Sequence, residues 1–329
     1  MVLIVLLLIL SGCKENLIQE VSEDTLTPVD DSLVVVGVSQ IGSESVWRTA
    51  NTTSIQNEFT KEHGYFLIFD NARQKQENQI KAIRSFISQQ VDYIVFSPIT
   101  ETGWETVLEE AKEAGIPVIL MDRQVNVVDK SLYTTWIGSD FRAEGENAGK
   151  WLESYLKTIE KQDNKINIVV LQGTEGATSV IGRTDGFNTI VNKHDNWHVL
   201  EQVDAEYTTA KGYEVMQNLL QKYKDIDVVV SQNDDMTFGA LEAIQNAGLT
   251  TGINGDITII SFDAVRSALE MVEEGIINVD IECNPEQGPY VERVIKALER
   301  GEKVEKAYYI SEKVFTKDNV STYLSDRTY

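Results

Sequence analysis

Residues able to do chemistry recur at one kind of position in this chain, just after a short apolar run. Ser39-Gln40 follow Leu33 to Val38, Asp122-Arg123 close the run from Pro117, Gln172-Gly173 follow Ile166 to Leu171, Asn233-Asp234 follow Val228 to Ser231, and Asp263 follows Ile257 to Phe262. A carboxylate accepts two hydroxyl hydrogens, a guanidinium donates along two directions, and an Asn side chain does one of each. Trp47 or Phe262 can cover the apolar face of a ring. Such a set suits reversible binding of a polyol. A single Asp or Asn after a strand more commonly caps the next helix, but here several recur together with Arg123 and Arg183. Neighbouring Asp and Arg also neutralise one another once water is excluded.

No enzyme signature competes with that reading. Gly37 and Gly42 lack the spacing of a dinucleotide or phosphate loop, and neither a nucleophile elbow nor a His placed to serve one is present. Asp234 and Asp235 are adjacent in sequence, which does not set two carboxylates across a glycosidic bond. His63, His194 and His198 are scattered and make no metal motif, so neither a metal nor a cofactor is expected. A formal charge of -23 excludes a nucleic-acid partner, because phosphate neutralisation needs clustered Lys and Arg. The cysteines are Cys13 and Cys283. If Cys13 is modified, Cys283 is left as a thiol, expected to be buried and unreactive.

The elements that must position these residues follow an alternation. Strand-like runs are expected at Leu33 to Val38, Tyr65 to Asp70, Tyr93 to Ser97, Pro117 to Asp122, Thr134 to Ile137, Ile166 to Leu171, His198 to Val203, Val228 to Ser231, Ile257 to Phe262 and Asn278 to Ile281. Segments of helical spacing lie between them, among them Gln76 to Gln89, Gly103 to Ala114, Arg142 to Thr158, Ala210 to Gln221 and Thr237 to Ala247. Continuous apolar strands belong to parallel sheets covered on both faces, and ten of them suggest two sheets. The expected class is α/β, two doubly wound parallel-sheet lobes. Ligands of such sheets collect beyond the carboxyl ends of the strands, so facing rims define a cleft.

Residues 1–13 form an apolar run too short to span a bilayer. It ends at Leu10-Ser11-Gly12-Cys13, the pattern of a bacterial lipobox, although no basic residue precedes it. The expectation is a lipoprotein signal peptide with Cys13 lipidated, residues 14–32 as a polar, acidic tether, and a body outside the inner membrane in the periplasm or cell envelope.

Several stretches then carry a family resemblance: Val38-Ser-Gln-Ile-Gly-Ser-Glu-Ser-Val-Trp-Arg48, Gln74 to Phe86, Thr102-Gly-Trp104, Leu120-Met-Asp-Arg123, Lys130-Ser-Leu-Tyr133, Leu171-Gln-Gly-Thr174, Asn233-Asp-Asp-Met236 and Glu282-Cys-Asn-Pro285. In order and spacing the chain resembles the bacterial type I periplasmic sugar-binding proteins, and among them the galactofuranose-binding members that serve ABC importers. The resemblance implies a monomer that closes on a monosaccharide by a hinge and hands it to an ABC permease. It implies lobe one at 33–136 plus 284–310, and lobe two at 137–283 plus 311–329. Carried over, Trp47 stacks on the sugar, Arg48 donates to it, and Asp122 with Arg123 grip ring hydroxyls. Arg183, Asn233 and Asp263 contact it from lobe two, and Asn284 from the hinge. Gln40, Glu44 and Asp140 are weaker candidates, either contacts or loop braces.

One departure bears on the ligand: Gly182 precedes Arg183 where the galactofuranose-binding relative carries an aspartate, and the resemblance implies that losing this acid alters how Arg183 is oriented and which sugar is preferred. Two other roles share the fold. A sugar sensor would present the closed form to a chemoreceptor or histidine kinase in place of a permease. A LacI-like regulator core would need an N-terminal helix-turn-helix and a basic face, against the apolar N-terminus and acidic balance here.

Overall fold

The computed structural model describes residues 33–329, so Cys13 and the tether expected at 14–32 lie outside the described residues. Among the described residues, no helix is long and apolar enough to cross a membrane.

Ten apolar runs become ten of the twelve strands of two six-stranded sheets. The first sheet contains β1 (Val34–Gln40), β2 (Tyr65–Asn71), β3 (Tyr93–Phe96), β4 (Val118–Met121) and β5 (Thr135–Gly138), with β11 (Ala307–Tyr309) added from far downstream. Their order is β11-β5-β4-β3-β1-β2, all parallel. The second holds β6 (Ile166–Gln172), β7 (Trp197–Asp204), β8 (Val228–Ser231), β9 (Thr258–Asp263), β10 (Val279–Glu282) and β12 (Val314–Thr316). Its order is β12-β10-β9-β8-β6-β7, and only β12 runs antiparallel.

Burial on both faces explains why these strands read as unbroken apolar runs. On one face of the first sheet Val36, Val38 and Ile119 pack against Ile55 of α1 (Val46–Glu58) and against Val291 and Ile295 of α9 (Gly288–Glu299). On the other, Ile94, Phe96 and Leu120 meet Phe86 of α2 (Gln76–Ser88) and Leu108 of α3 (Glu105–Glu113). The second sheet is covered by α4 (Phe141–Thr158) and α5 (Thr178–Val191) on one side, through Leu152, Phe187 and Ile190. Its other side takes α6 (Thr209–Lys222), α7 (Asp234–Asn246) and α8 (Arg266–Glu274), through Met216, Ile244 and Leu269.

The chain passes between the sheets after β5, after β10 and between β11 and β12. The first passage differs from expectation. β5 stays paired with β11 through Gly138, so the chain leaves the first sheet at Ser139 rather than after Trp136. The three passages are laced together: Ser139 Oγ and the Asn284 N–H, the latter at 2.7 Å, both donate to Glu312 Oε1. Cys283 is buried there, and burial pushes its thiol pKa well up, as expected of an unreactive thiol.

Candidate ligand-binding site

The carboxyl ends of both sheets face a cleft that holds a small cavity of about 30 Å³, well below the usual volume of a ligand site. Trp47, Arg48, Asp122 and Arg123 line it from the first sheet's side, and Arg183, Tyr207, Asn233 and Asp263 from the second's.

The first half is built by the start of α1. Ser45 caps the helix, its Oγ accepting from the Arg48 N–H at 3.0 Å, and the opening turn thereby carries Trp47 and Arg48 into the cleft. Arg48 donates Nε to Glu44 at 3.0 Å, Nη2 to Asp122 at 2.7 Å and Nη1 to Gln40 at 3.3 Å. Its guanidinium lies 4.7 Å from the centre of the Trp47 ring. Burial alone would lower the Arg48 pKa, but the charges of Asp122 and Glu44 outweigh it and the net is a rise. Asp122 also accepts from Ser97 Oγ at 2.9 Å and holds a left-handed backbone at φ 59°, a conformation costly for a non-glycine residue and common at binding sites. Arg123 sits beside it with a pKa lowered by burial and by the Arg48 charge. Its hydrogen bond among the described residues is to Ile99 O at 2.9 Å, so most of its five N–H donors are available to a ligand.

The second half centres on Arg183, whose Nε donates to Glu144 at 2.6 Å and whose Nη1 donates to the Gln232 carbonyl. Asp263 is held more loosely, at 3.4 Å from Nη2. Phe141 and Phe262 flank the guanidinium at 5.5 and 4.9 Å. Burial again opposes the charge of Arg183, and Glu144 leads the groups that raise its pKa. Burial pushes the Asp263 carboxyl well up, against the attraction of Arg183. Asp263 and Ala264 occupy a left-handed turn, at φ 108° and 61°. Two buried acids clamp it: Asp234 accepts from the Val265 N–H at 2.8 Å and Asp280 from the Ala264 N–H at 3.1 Å. Both carboxyls are raised, chiefly by burial, so between them they retain a proton.

Contacts across the cleft close it. Val46 N–H donates to Asp235 at 3.1 Å, Glu101 N–H to Gly176 O at 3.0 Å, and Gln124 N–H to Thr178 Oγ1 at 3.0 Å. The Tyr207 ring meets Arg123 at 5.2 Å, and Trp47 Nε1 donates to Cys283 O at 2.6 Å.

Most of the expected site residues therefore converge, Glu44 included. Gln40 is a brace, fully buried and bonded to Asn51, Thr52 and Arg48. Asp140 lies outside the cavity lining: it is exposed and caps α4 by accepting from the Ala143 N–H at 3.0 Å. Asn284 also lies outside the lining, and its side-chain Oδ1 accepts from the Glu286 N–H at 2.8 Å in a local turn. Sequence reasoning missed Phe141, Ser179 and Tyr207 in the lining and Glu144 behind it. Tyr207 had a signal, since it follows the carboxyl end of β7 as the other rim residues follow theirs. Its OH pairs with Ser179 Oγ at 2.7 Å, and the ring fits only because Gly173 has no side chain: a Cβ there would lie 1.9 Å from the Tyr207 ring. Gly182 admits Phe141 in the same way, while Glu144 supplies Arg183 with a carboxylate from a neighbouring helix.

Two parallel-sheet lobes, three passages and a charged cavity between facing rims define a type I binding protein. Residues 36–303 match the family model for the periplasmic binding protein domain, and the chain belongs to that family. It is 38% identical over 298 residues to the galactofuranose-binding protein YtfQ of Escherichia coli K12, covering 89% of this chain and 91% of that one. A Mycobacterium smegmatis protein solved in complex with β-D-fucofuranose superposes with a TM-score of 0.85 at 41% identity, covering 90% of this chain and 95% of the other. The binding component of the arabinose ABC transporter of Shewanella sp. ANA-3, bound to α- and β-L-arabinofuranose, gives 0.83 at 41%, covering 89% and 95%.

Proposed function

We propose that this protein is an extracytoplasmic receptor that captures one furanose sugar, galactofuranose or a close analogue, and delivers the closed form to an ABC permease. The observation that carries the reading is the convergence, on one cavity between the facing strand ends, of two buried arginine–carboxylate groups with Trp47, Arg123 and Asn233. Asp122 and Asp263 accept sugar hydroxyls, Arg123 and the Asn233 amide donate, and Trp47 covers an apolar ring face. Hydroxyls left unpaired in such a cavity cost about 1–3 kcal/mol each, which gives the site its selectivity. The passages at Ser139, Cys283 to Asn284 and Ser311 to Lys313 act as the hinge, and the receptor works as a monomer without catalysis. The Leu10-Ser11-Gly12-Cys13 sequence supports an anchor on Cys13.

Calorimetric titration with D-galactose, L-arabinose, D-fucose, D-fructose and D-ribose tests this, since each populates furanose forms in water. The expected result is saturable heat with at least one sugar and no product formed. Absence of heat with all five, or turnover of any furanoside, overturns it.

A further inference from the structure

Behind Arg183, away from the cavity, Glu144 and Glu312 meet at the junction of the three passages. Glu144 Oε2 accepts from Arg183 Nε at 2.6 Å, whereas Glu144 Oε1 is buried without any partner among the described residues except the facing carboxyl of Glu312. Glu312 belongs to the third passage, and its Oε1 accepts from Ser139 of the first and from the Asn284 N–H of the second. The carboxyl and thiol atoms of Glu144, Glu312 and Cys283 all lie within 4.8 Å of one another. Glu144 is buried and Glu312 partly so; two carboxylates this close in such surroundings repel, and a proton shared between them relieves the repulsion.

We infer that Glu312 is a positioning residue for sugar capture: through a proton shared with Glu144 it fixes the carboxylate that aims Arg183, and it links closure of the lobes to proton uptake. This rests on the sugar-capture reading above. The geometry makes the link unavoidable. Glu312, Ser139 and Asn284 come from three different passages, so bending the hinge moves them against one another. Opening the cleft also admits water to Arg183 and, behind it, to Glu144.

The surrounding charges support it. Glu144 is raised by burial, with Arg183 opposing and Asp122 adding. Glu312 is pushed up to about 9, by burial first and the Glu144 charge second, with Ser139, the Asn284 N–H and Arg183 opposing. Asp263 and Cys283 complete the set, both raised by burial. The sign follows from the closed state binding the extra proton. Its contribution to affinity is complete below the ordinary carboxyl range and is lost as pH rises through the closed-state value near 9.

The test uses the full chain. For the tightest binder among D-galactose, L-arabinose, D-fucose, D-fructose and D-ribose, Kd should rise by several-fold, and by at most about tenfold per unit, as pH is raised from about 7 to about 9. Calorimetry in buffers of different ionisation enthalpy should register proton uptake on binding. Glu312→Gln copies the protonated shape without having to take up a proton, so near neutral pH it should bind more tightly than wild type, flatten the pH profile and abolish the uptake. Glu144→Gln should instead weaken binding about tenfold or more, because it removes the charge partner of Arg183. Failure of the sugar reading shows as no binding heat at all, whereas this inference is tested in protein that binds: the sugar-bound minus sugar-free infrared difference at neutral pH should contain a protonated-carboxyl C=O band in wild type that Glu312→Gln lacks. A missing band, or a pH profile that survives in Glu312→Gln, overturns the inference.

Discussion

The two halves of the cleft solve one problem differently. Each presents a buried arginine held by two carboxylates, but Arg48 is tied within its own lobe by close bonds to Glu44 and Asp122 at 3.0 and 2.7 Å. Arg183 has one close partner, Glu144 at 2.6 Å, and one loose partner, Asp263 at 3.4 Å, and its close partner leans on the hinge through Glu312. A carboxylate engaged at 2.7 Å is part of the fold, whereas one at 3.4 Å is largely free for a ligand hydroxyl. The first half is thus a preformed wall, and the second is completed when the sugar arrives and the lobes close.

Conservative substitutions on the two sides would break that comparison most sharply. Asp122→Asn and Asp263→Asn each remove a carboxyl from the cavity while keeping a side chain that tolerates left-handed backbone. Both should weaken sugar binding by about 2–4 kcal/mol, roughly thirty- to a thousandfold in Kd by calorimetry. Thermal unfolding of the sugar-free protein should separate them. Asp122→Asn loosens the Arg48 pair and lowers Tm, whereas Asp263→Asn leaves Arg183 on Glu144 and removes a carboxyl that burial disfavours, so Tm stays the same or rises. Equal losses of Tm would mean that both halves are structural to the same degree.

A smaller effect is expected where the halves touch. Gly173→Ala places a Cβ 1.9 Å from the Tyr207 ring and forces that ring off Arg123 and Ser179. Affinity should fall about tenfold. Tyr207→Phe keeps the ring and loses only the Ser179 bond, a change of about 1 kcal/mol. If Gly173→Ala binds as well as wild type, Tyr207 is not what bridges the cleft.

The alternation of apolar runs made both sheets legible, because parallel strands buried on two faces cannot hide in polar sequence. The rim residues were legible for the same reason: Asp122, Asn233 and Asp263 stand at strand ends, where chain order alone assigns a side of the sheet. What escaped was set by contacts distant in sequence. Glu144 looks like an ordinary charge on an amphipathic helix until α5 packs against α4 and puts Arg183 beside it. β11 and β12 are three residues each at sheet edges, too short for a period-two pattern to register. α1 opens with the Trp47-Arg48 pair but is rich in Thr and Asn, so its helical face is weak in sequence and is secured by the Ser45 cap and by packing under α9. Asn284 and Asp140 looked like contacts because polar residues near a hinge resemble ligand-binding groups; hydrogen bonds to the Glu286 and Ala143 N–H groups use them locally instead.

The smallest predicted effect sharpens the comparison at the mouth of the cleft. Asp235, at the start of α7, accepts from the Val46 N–H at the start of α1, so an acid of the second lobe closes on a helix N-terminus of the first. Burial raises its pKa to about 6, with the Glu44 charge adding and the Val46 N–H opposing. A group raised on closure favours the closed state fully below its ordinary value, and that contribution fades as pH rises through about 6. Near neutral pH the ionised Asp235 is therefore a latch working against its own desolvation. Asp235→Asn keeps an acceptor for Val46 without the charge. It should bind sugar as tightly as wild type or up to about threefold tighter near pH 7, and lose the acid-side dependence between about pH 4 and 6. Asp235→Ala loses the acceptor and should bind a few-fold more weakly. Fluorescence titration reporting on Trp47 across that pH range distinguishes them: if Asn weakens binding as much as Ala, the charge on the α1 N-terminus, not the hydrogen bond, holds the lobes together.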